Sequence, residues 1–391
     1  MSRKNILISG AGIAGPTLAF WLNRHGFSTT IVEKAPRIRE GGYAVDFRGA
    51  PMKVLEKMDM VESIREKETR THAITVVDER GRKLASMPEG FTSGELEIMR
   101  GDLGCVLYDA TKSDTEYLFS DYIVDIAQDG LGVQVEFASG SQRIFDLVIG
   151  SDGLHSSVRS IVFGQEDRFL HHLGYYLAIF TVPNYLDLDH SGLLFGEPGR
   201  KVGIFAAENN RKARASFYFS SPLLSFGRDD IGAQKQHLRD VFKKTGWEAS
   251  QLLRRMDDAP DFYFDSISQI KMNTWSQGRV ALIGDAGYCS SPLSGMGTGV
   301  AVVGAYMLAG ELKLADGDHT LAFKRYEDAM RPFVSKCQKI VNGAEWFVPK
   351  TRFRLWLSNV MWRTLPYTPW KNMMLEVPLK AANSVVIQDY L

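Results

Sequence analysis

Gly10, Gly12 and Gly15 stand at a spacing that can hold a diphosphate. Gly10 permits a sharp turn, Gly12 has no side chain to obstruct a phosphate, and Gly15 lets a following helix approach the preceding strand. A helix N-terminus placed there presents free N–H groups and the positive end of its dipole. Glu33 follows about 20 residues on, where a carboxylate can accept hydrogen bonds from a ribose diol. Together these residue types describe a dinucleotide site. A glycine-rich turn without a ligand would leave Glu33 unexplained at a strand end.

The elements that must position these groups are also readable. Residues 6–8 form a buried apolar strand. Leu18, Trp21 and Leu22 have helical spacing, Gly26 suits the helix end, and 29–32 is a second apolar strand. Helical spacing recurs over 51–64 at Met52, Leu55, Met58 and Val61, and 101–111 reads as a helix. Residues 74–78 and 83–87 read as strands, and 132–137 with 143–149 as a hairpin. From 171 to 275 β-rich runs dominate, at 175–182, 192–195, 202–207, 213–220 and 262–270, with one helix over 233–243. A parallel-type strand returns at 279–285, a long helix follows over 297–314, and the remainder is mostly helical. The expected fold is α/β: a Rossmann-type dinucleotide domain (1–170 and 276–330) with an inserted antiparallel-sheet substrate domain (171–275) and a C-terminal helical extension (331–391).

Bulk properties narrow the function classes. The chain has 391 residues, 45% hydrophobic and 24% charged, an ordinary globular composition. Lys+Arg and Asp+Glu are both 46, which argues against a nucleic-acid partner. Cys105, Cys289 and Cys337 form neither a disulfide framework nor a CxxC motif, and the eight histidines lack metal-ligand spacing. No leader or membrane span is expected, so a cytoplasmic monomer is.

Three further segments carry a family resemblance. Asp146 to Gly153 with Ser156, Val158 and Arg159, Gly278 to Ala286 with Pro292, Gly295 and Gly297, and Met99 to Leu103 resemble motifs of the FAD-dependent aromatic hydroxylases of the para-hydroxybenzoate hydroxylase type. The resemblance implies tightly bound, non-covalent FAD, with NADPH as a transient reductant and dioxygen as co-substrate, acting through a flavin C4a-hydroperoxide. It implies cofactor contacts at Ala14, Lys34, Asp46, Arg100, Asp152, Asp285, Pro292, Gly295, Met296 and Gly297. Asp285 can accept hydrogen bonds from ribitol hydroxyls, although a helix N-cap is the plainer role for it. The turn 294–299 can bring backbone N–H groups to the flavin edge, and Arg100 can neutralise phosphate. Departures from the family pattern are Tyr288 for a histidine, Gly299 for an asparagine and Gly304 for an acidic residue. No catalytic side chain is assigned, because the flavin carries the chemistry.

Segments 41–49, 182–190, 261–265 and 291–295 more closely resemble the tetracycline destructases. That resemblance implies oxidation of a tetracycline. The same chemistry on another polycyclic polyketide, flavin halogenation and drug sequestration without turnover are the alternatives, and the halogenase WxWxIP signature is absent. A large flat substrate needs an apolar slot with a few polar anchors. Tyr43, Phe195, Phe205 and Tyr218 are candidates for it, with Trp346 and Phe347 at its mouth; ordinary sheet core is the plain alternative for the first four. In the helix expected near 352–363, Arg352, Trp356, Asn359 and Arg363 share one face, and Phe353, Leu357, Val360 and Met361 another. A helix packed over the two domains, gating substrate access, is expected there, with a peripheral membrane helix as the alternative.

Overall fold

The computed structural model describes residues 3–39, 41–71, 73–87, 94–208, 210–368 and 370–390; the side chains of 342–344 and 370–375 lie outside that description. One sheet runs in the order Ser276–Gln277, Val280–Leu282, Leu147–Gly150, Asn5–Ser9, Ser28–Glu33, Thr115–Phe119, parallel except at the first pairing. Its strands are apolar on both faces because both are covered. Ile6, Ile8 and Ile31 pack toward helices Ala14–Arg24 and Gly297–Leu314. Leu7, Val32 and Val148 point the other way, against a three-stranded antiparallel sheet, Ile123–Gln128, Val133–Phe137 and Gln142–Phe145. The expected second hairpin strand over 143–149 is therefore divided. Its first half closes that small sheet and its second half enters the parallel one.

The second large sheet has seven strands in the order Phe262–Ile270, Leu170–Pro183, Lys212–Ser220, Arg200–Ala207, Ser191–Glu197, Ala73–Val77, Lys83–Met87. The last two strands cross the expected domain division. They come from within 1–170, yet they complete this sheet by parallel pairing of Ala73–Val77 with Ser191–Glu197. One face carries Phe180, Val202, Ile204, Phe217 and Phe219 and is covered by helices Ile231–Phe242 and Ala249–Arg255. By strand alternation the opposite, inner face carries Leu177, Lys201, Phe205, Arg214, Ser216 and Tyr218.

The C-terminal helices begin on the inner side of this sheet. Arg352–Thr364 packs Trp362 against Ile74, Val76 and Leu194, and Leu355 lies beside Gly196. The buried seam thus contains Ser358 and Trp362, whereas Phe353 and Trp356 are exposed. Neither of the helical faces expected from the sequence is the packed one. The chain then returns to the parallel-sheet domain. The Tyr390 hydroxyl donates to Glu311 Oε1 at 2.7 Å, Tyr306 donates to the Gln388 carbonyl at 2.7 Å, and Lys313 donates to the Tyr390 carbonyl at 2.6 Å. The end of the extension is therefore bonded into the parallel-sheet domain. Among the described residues no helix is long and apolar enough to cross a membrane.

Candidate functional site

The glycine turn is built as its spacing requires. Gly10 has φ +104°, and a Cβ there would lie 2.8 Å from the Ser151 carbonyl. A Cβ on Gly15 would collide with the Gly10 carbonyl. Gly12 differs: its Cβ would meet just the Arg100 guanidinium, at 3.4 Å. Two glycines thus serve packing, and the third keeps a space open beneath a cation. Among the described residues no hydrogen bond or ion pair engages that guanidinium, so its charge is available to an anion. The Glu33 carboxylate accepts from Ala11 N and Ala35 N, each at 2.8 Å, which holds it beside the turn. These residues fit the diphosphate and ribose of FAD.

Around Arg100 lie Tyr43, Tyr263 and Asp285, all close enough to perturb one another electrostatically. Gly284 (φ +60°) turns the chain after strand Val280–Leu282 so that Asp285 opens a short helix. Burial raises the pKa of Asp285, while Arg100 acts to lower it. A Cβ on Gly297 would lie 3.9 Å from Asp285 Oδ1. This sets the Pro292–Ser294 turn, left-handed Gly295, buried Met296 and the start of the long helix against the carboxylate. Asp46 lies opposite Gly295, buried and paired with Arg48; burial raises its pKa and Arg48 opposes the rise.

Two expected cofactor residues are placed differently. The Asp152 carboxylate accepts from Ser156 Oγ at 2.5 Å, Ser157 Oγ at 2.9 Å and Val158 N at 3.2 Å. It bonds to the first turn of helix Ser157–Val162, whose N-cap is Ser156, while its Cα lies against Gly10. Lys34 is exposed and points to Asp229, 4.0 Å away, and to the Tyr122 ring. Ala14 is buried at the start of the first helix, its Cβ 3.3 Å from where a Cβ on Gly284 would fall.

On the substrate side, Tyr43, Tyr218 and Phe347 come together with Leu293, Tyr175 and Leu177 in one apolar cluster. Tyr218 and Phe347 meet edge to face at 5.0 Å, and burial pushes the Tyr218 phenol up to about 12. Leu293 belongs to the turn after Pro292, so the cluster spans the gap between the two large sheets. Phe205 is on the same inner face but packs farther along, near Trp362. Phe195 is on the opposite face against Trp247, because its strand neighbour Leu194 takes the inner position. Trp346 is 46% exposed and points away.

Several residues of the cleft were not singled out beforehand. In Asp261-Phe262-Tyr263-Phe264-Asp265, alternation sends both phenylalanines toward the helix-covered core and the three polar residues to the inner face. Tyr263 is 42% exposed although ringed by Tyr43, Arg100, Asp265 and Asp285, as befits a side chain lining an open cleft. Arg214 pairs with Asp261 at 2.8 Å, and its buried Nε has no hydrogen-bond partner among the described residues. Lys201 is buried with its ammonium 4.0 Å above the Phe347 ring. His155 is held between Glu166 and Asp265.

A parallel sheet with this glycine turn, an arginine above it and an antiparallel sheet closing the cleft define a flavoprotein of the aromatic-hydroxylase type. The chain belongs to the FAD binding domain family, which it matches over residues 3–338. It is 45% identical to a flavin-dependent monooxygenase of Legionella longbeachae, over 85% of this chain and 87% of that protein. The structure superposes on tetracycline destructase Tet(51) with a TM-score of 0.89 at 37% identity, covering 100% of both chains. For tetracycline destructase Tet(55) the values are 0.85 and 38%, covering 99% of each. The protein is a flavin-dependent monooxygenase.

Proposed function

We propose that this enzyme binds FAD non-covalently, takes electrons from NADPH and inserts one atom of dioxygen into a tetracycline, inactivating it. The observation that carries this reading is the end-to-end likeness to Tet(51), at 37% identity over both whole chains. When bound, FAD supplies the reduction of dioxygen and the transfer of oxygen. Gly12 and Arg100 hold the diphosphate, Glu33 the ribose and Asp285 the ribitol chain. The Pro292–Gly297 turn offers backbone N–H groups to the ring edge. Tyr43, Tyr218 and Phe347 grip the fused rings of the substrate and keep water away from the reacting carbon. Arg214 anchors its polar rim through the unpartnered Nε.

The test is a paired assay on purified protein loaded with FAD. NADPH consumption and drug mass are followed with and without tetracycline. Drug-dependent consumption and a product one oxygen heavier, or a breakdown product of it, are expected. Consumption that ignores the drug, with the drug intact, removes tetracycline and points to another polycyclic phenol. Drug binding with no consumption at all marks a sequestering protein.

A further inference from the structure

We propose that Asp265, His155 and Glu166 form a proton conduit between the cleft and solvent, with Tyr263 at its inner end. The Tyr263 hydroxyl lies 3.3 Å from Asp265 Oδ2. Asp265 Oδ1 lies 2.9 Å from His155 Nε2, and His155 Nδ1 lies 3.0 Å from Glu166. The side chains of His155 and Glu166 are 22% and 27% exposed, so the outer end reaches water. Tyr263 opens the inner end onto Tyr43, Arg100 and Asp285. Every link is thus a titratable group within hydrogen-bond reach of the next, from the cleft wall to the surface.

The groups facing His155 are Glu166 and Asp265, with Arg159 (3.1 Å) and Arg228 (3.8 Å) behind Glu166. Burial by itself lowers the His155 pKa, but the two carboxylates overcome this and lift it to about 8. The imidazole therefore holds its proton at neutrality and is half-protonated near pH 8, so a proton stands ready to pass inward.

The chemistry requires such a path. Monooxygenation consumes one dioxygen, two electrons and two protons; one oxygen enters the substrate and the other leaves as water. A hydride donor supplies both electrons and one proton, so one further proton must come from solvent into a cleft whose open wall bound FAD would cover. In the inward step the Nε2 proton of the His155 imidazolium passes to Asp265. Asp265 passes a proton to the Tyr263 oxygen, and the original Tyr263 proton goes to the acceptor in the cleft. Water then re-protonates the exposed imidazole by way of Glu166. No electron moves, and the net result is one proton carried inward.

This inference rests on the monooxygenase assignment and not on the tetracycline reading, so the test uses no substrate. FAD-loaded protein is mixed anaerobically with reduced methyl viologen, which delivers electrons without protons, in weak buffer with an indicator dye. Flavin bleaching and proton uptake are recorded together in stopped flow. In the wild type, uptake keeps pace with bleaching. In His155→Gln, bleaching is unchanged and uptake lags about tenfold or more, and added imidazole shortens the lag. Glu166→Gln, altered at the exposed end, shows the same lag and carries the test alone should His155→Gln lose the cofactor. Uptake that keeps pace with bleaching in the variants overturns the proposal, as does a lag that imidazole leaves unchanged.

Discussion

The hydroxyl of Tyr288 occupies the space that a Cβ on Gly304 would need. Tyr288 and Gly304, both read from the sequence as departures from the family pattern, are thus direct neighbours. The phenol bonds to Tyr326 at 2.7 Å, and Tyr326 also reaches the Leu282 carbonyl at 3.2 Å. This fastens the strand that leads to Asp285 onto helix His319–Lys339. Gly304→Ala must push the phenol aside and is expected to cost about 1–3 kcal/mol. Tyr288→Phe, which loses one buried hydrogen bond, should cost about 1 kcal/mol. In the double variant the penalties should fall short of their sum, because phenylalanine vacates the contested space. Urea unfolding of the four proteins measures this; strict additivity would refute the coupling.

The glycine turn separates folding from binding. Gly15→Ala drives a Cβ into the Gly10 carbonyl, so lost stability and poor expression are expected. Gly12→Ala has room, with its nearest neighbour the movable Arg100 guanidinium at 3.4 Å. That variant should unfold at nearly the wild-type denaturant concentration yet bind FAD at least about tenfold more weakly, a loss of roughly 1.4 kcal/mol. Flavin fluorescence titration beside unfolding distinguishes the two. Equal loss of stability in both variants would contradict the assignment of roles.

The difference between what was and was not legible in the sequence follows the range of the contacts. Gly10, Gly12, Gly15 and Glu33 were readable because one strand–turn–helix–strand unit positions them all. The antiparallel sheet was readable from its short apolar runs, but its inner face was not. Both faces carry aromatic residues, so Phe195 and Phe205 look equivalent until the helices that cover one side are known. The pairing of strand Ala73–Val77 with Ser191–Glu197 was not readable, because the two lie far apart along the chain. The motif around Asp152 was readable, but the bonds of its carboxylate to Ser156 and Ser157 at the start of the next helix were not. His155 gave no local signal at all, since Asp265 reaches it from the other sheet.

The same His155 sets a pH dependence of stability. Its pKa is 6.5 when unfolded and about 8 when folded. The folded state therefore holds the proton more tightly. The stabilisation, about 2 kcal/mol, is complete below pH 6.5 and is lost as pH rises through 8. The unfolding free-energy gap between wild type and His155→Gln should be wide at pH 6 and narrow at pH 9. A gap that does not change with pH would show that the histidine bridges the two sheets without binding its proton.

Lys201 acts in the opposite sense over an overlapping range. Its side chain is buried on the inner face, and among the described residues its ammonium has no hydrogen bond or carboxylate partner, just the Phe347 ring at 4.0 Å. A ring face returns about 2 kcal/mol at best, less than the desolvation of a charge. Burial accordingly pushes the amine from 10.5 down to about 7. Here the unfolded state binds the proton more tightly, so stability rises as pH climbs from 7 toward 10, and the cost, on the order of 4 kcal/mol, is complete below pH 7. Lys201→Met keeps the length of the side chain and removes the charge. It should be more stable than the wild type at pH 6.5 by about 2–4 kcal/mol, and that advantage should vanish near pH 10. Such a costly amine, on the face that carries Tyr218, suits an acidic oxygen of a bound substrate. The same variant should therefore raise KM while leaving kcat nearly unchanged. Unfolding curves at the two pH values and steady-state kinetics at pH 6.5 test both halves. A methionine variant no more stable than the wild type at low pH would mean that the ammonium is already paired when folded.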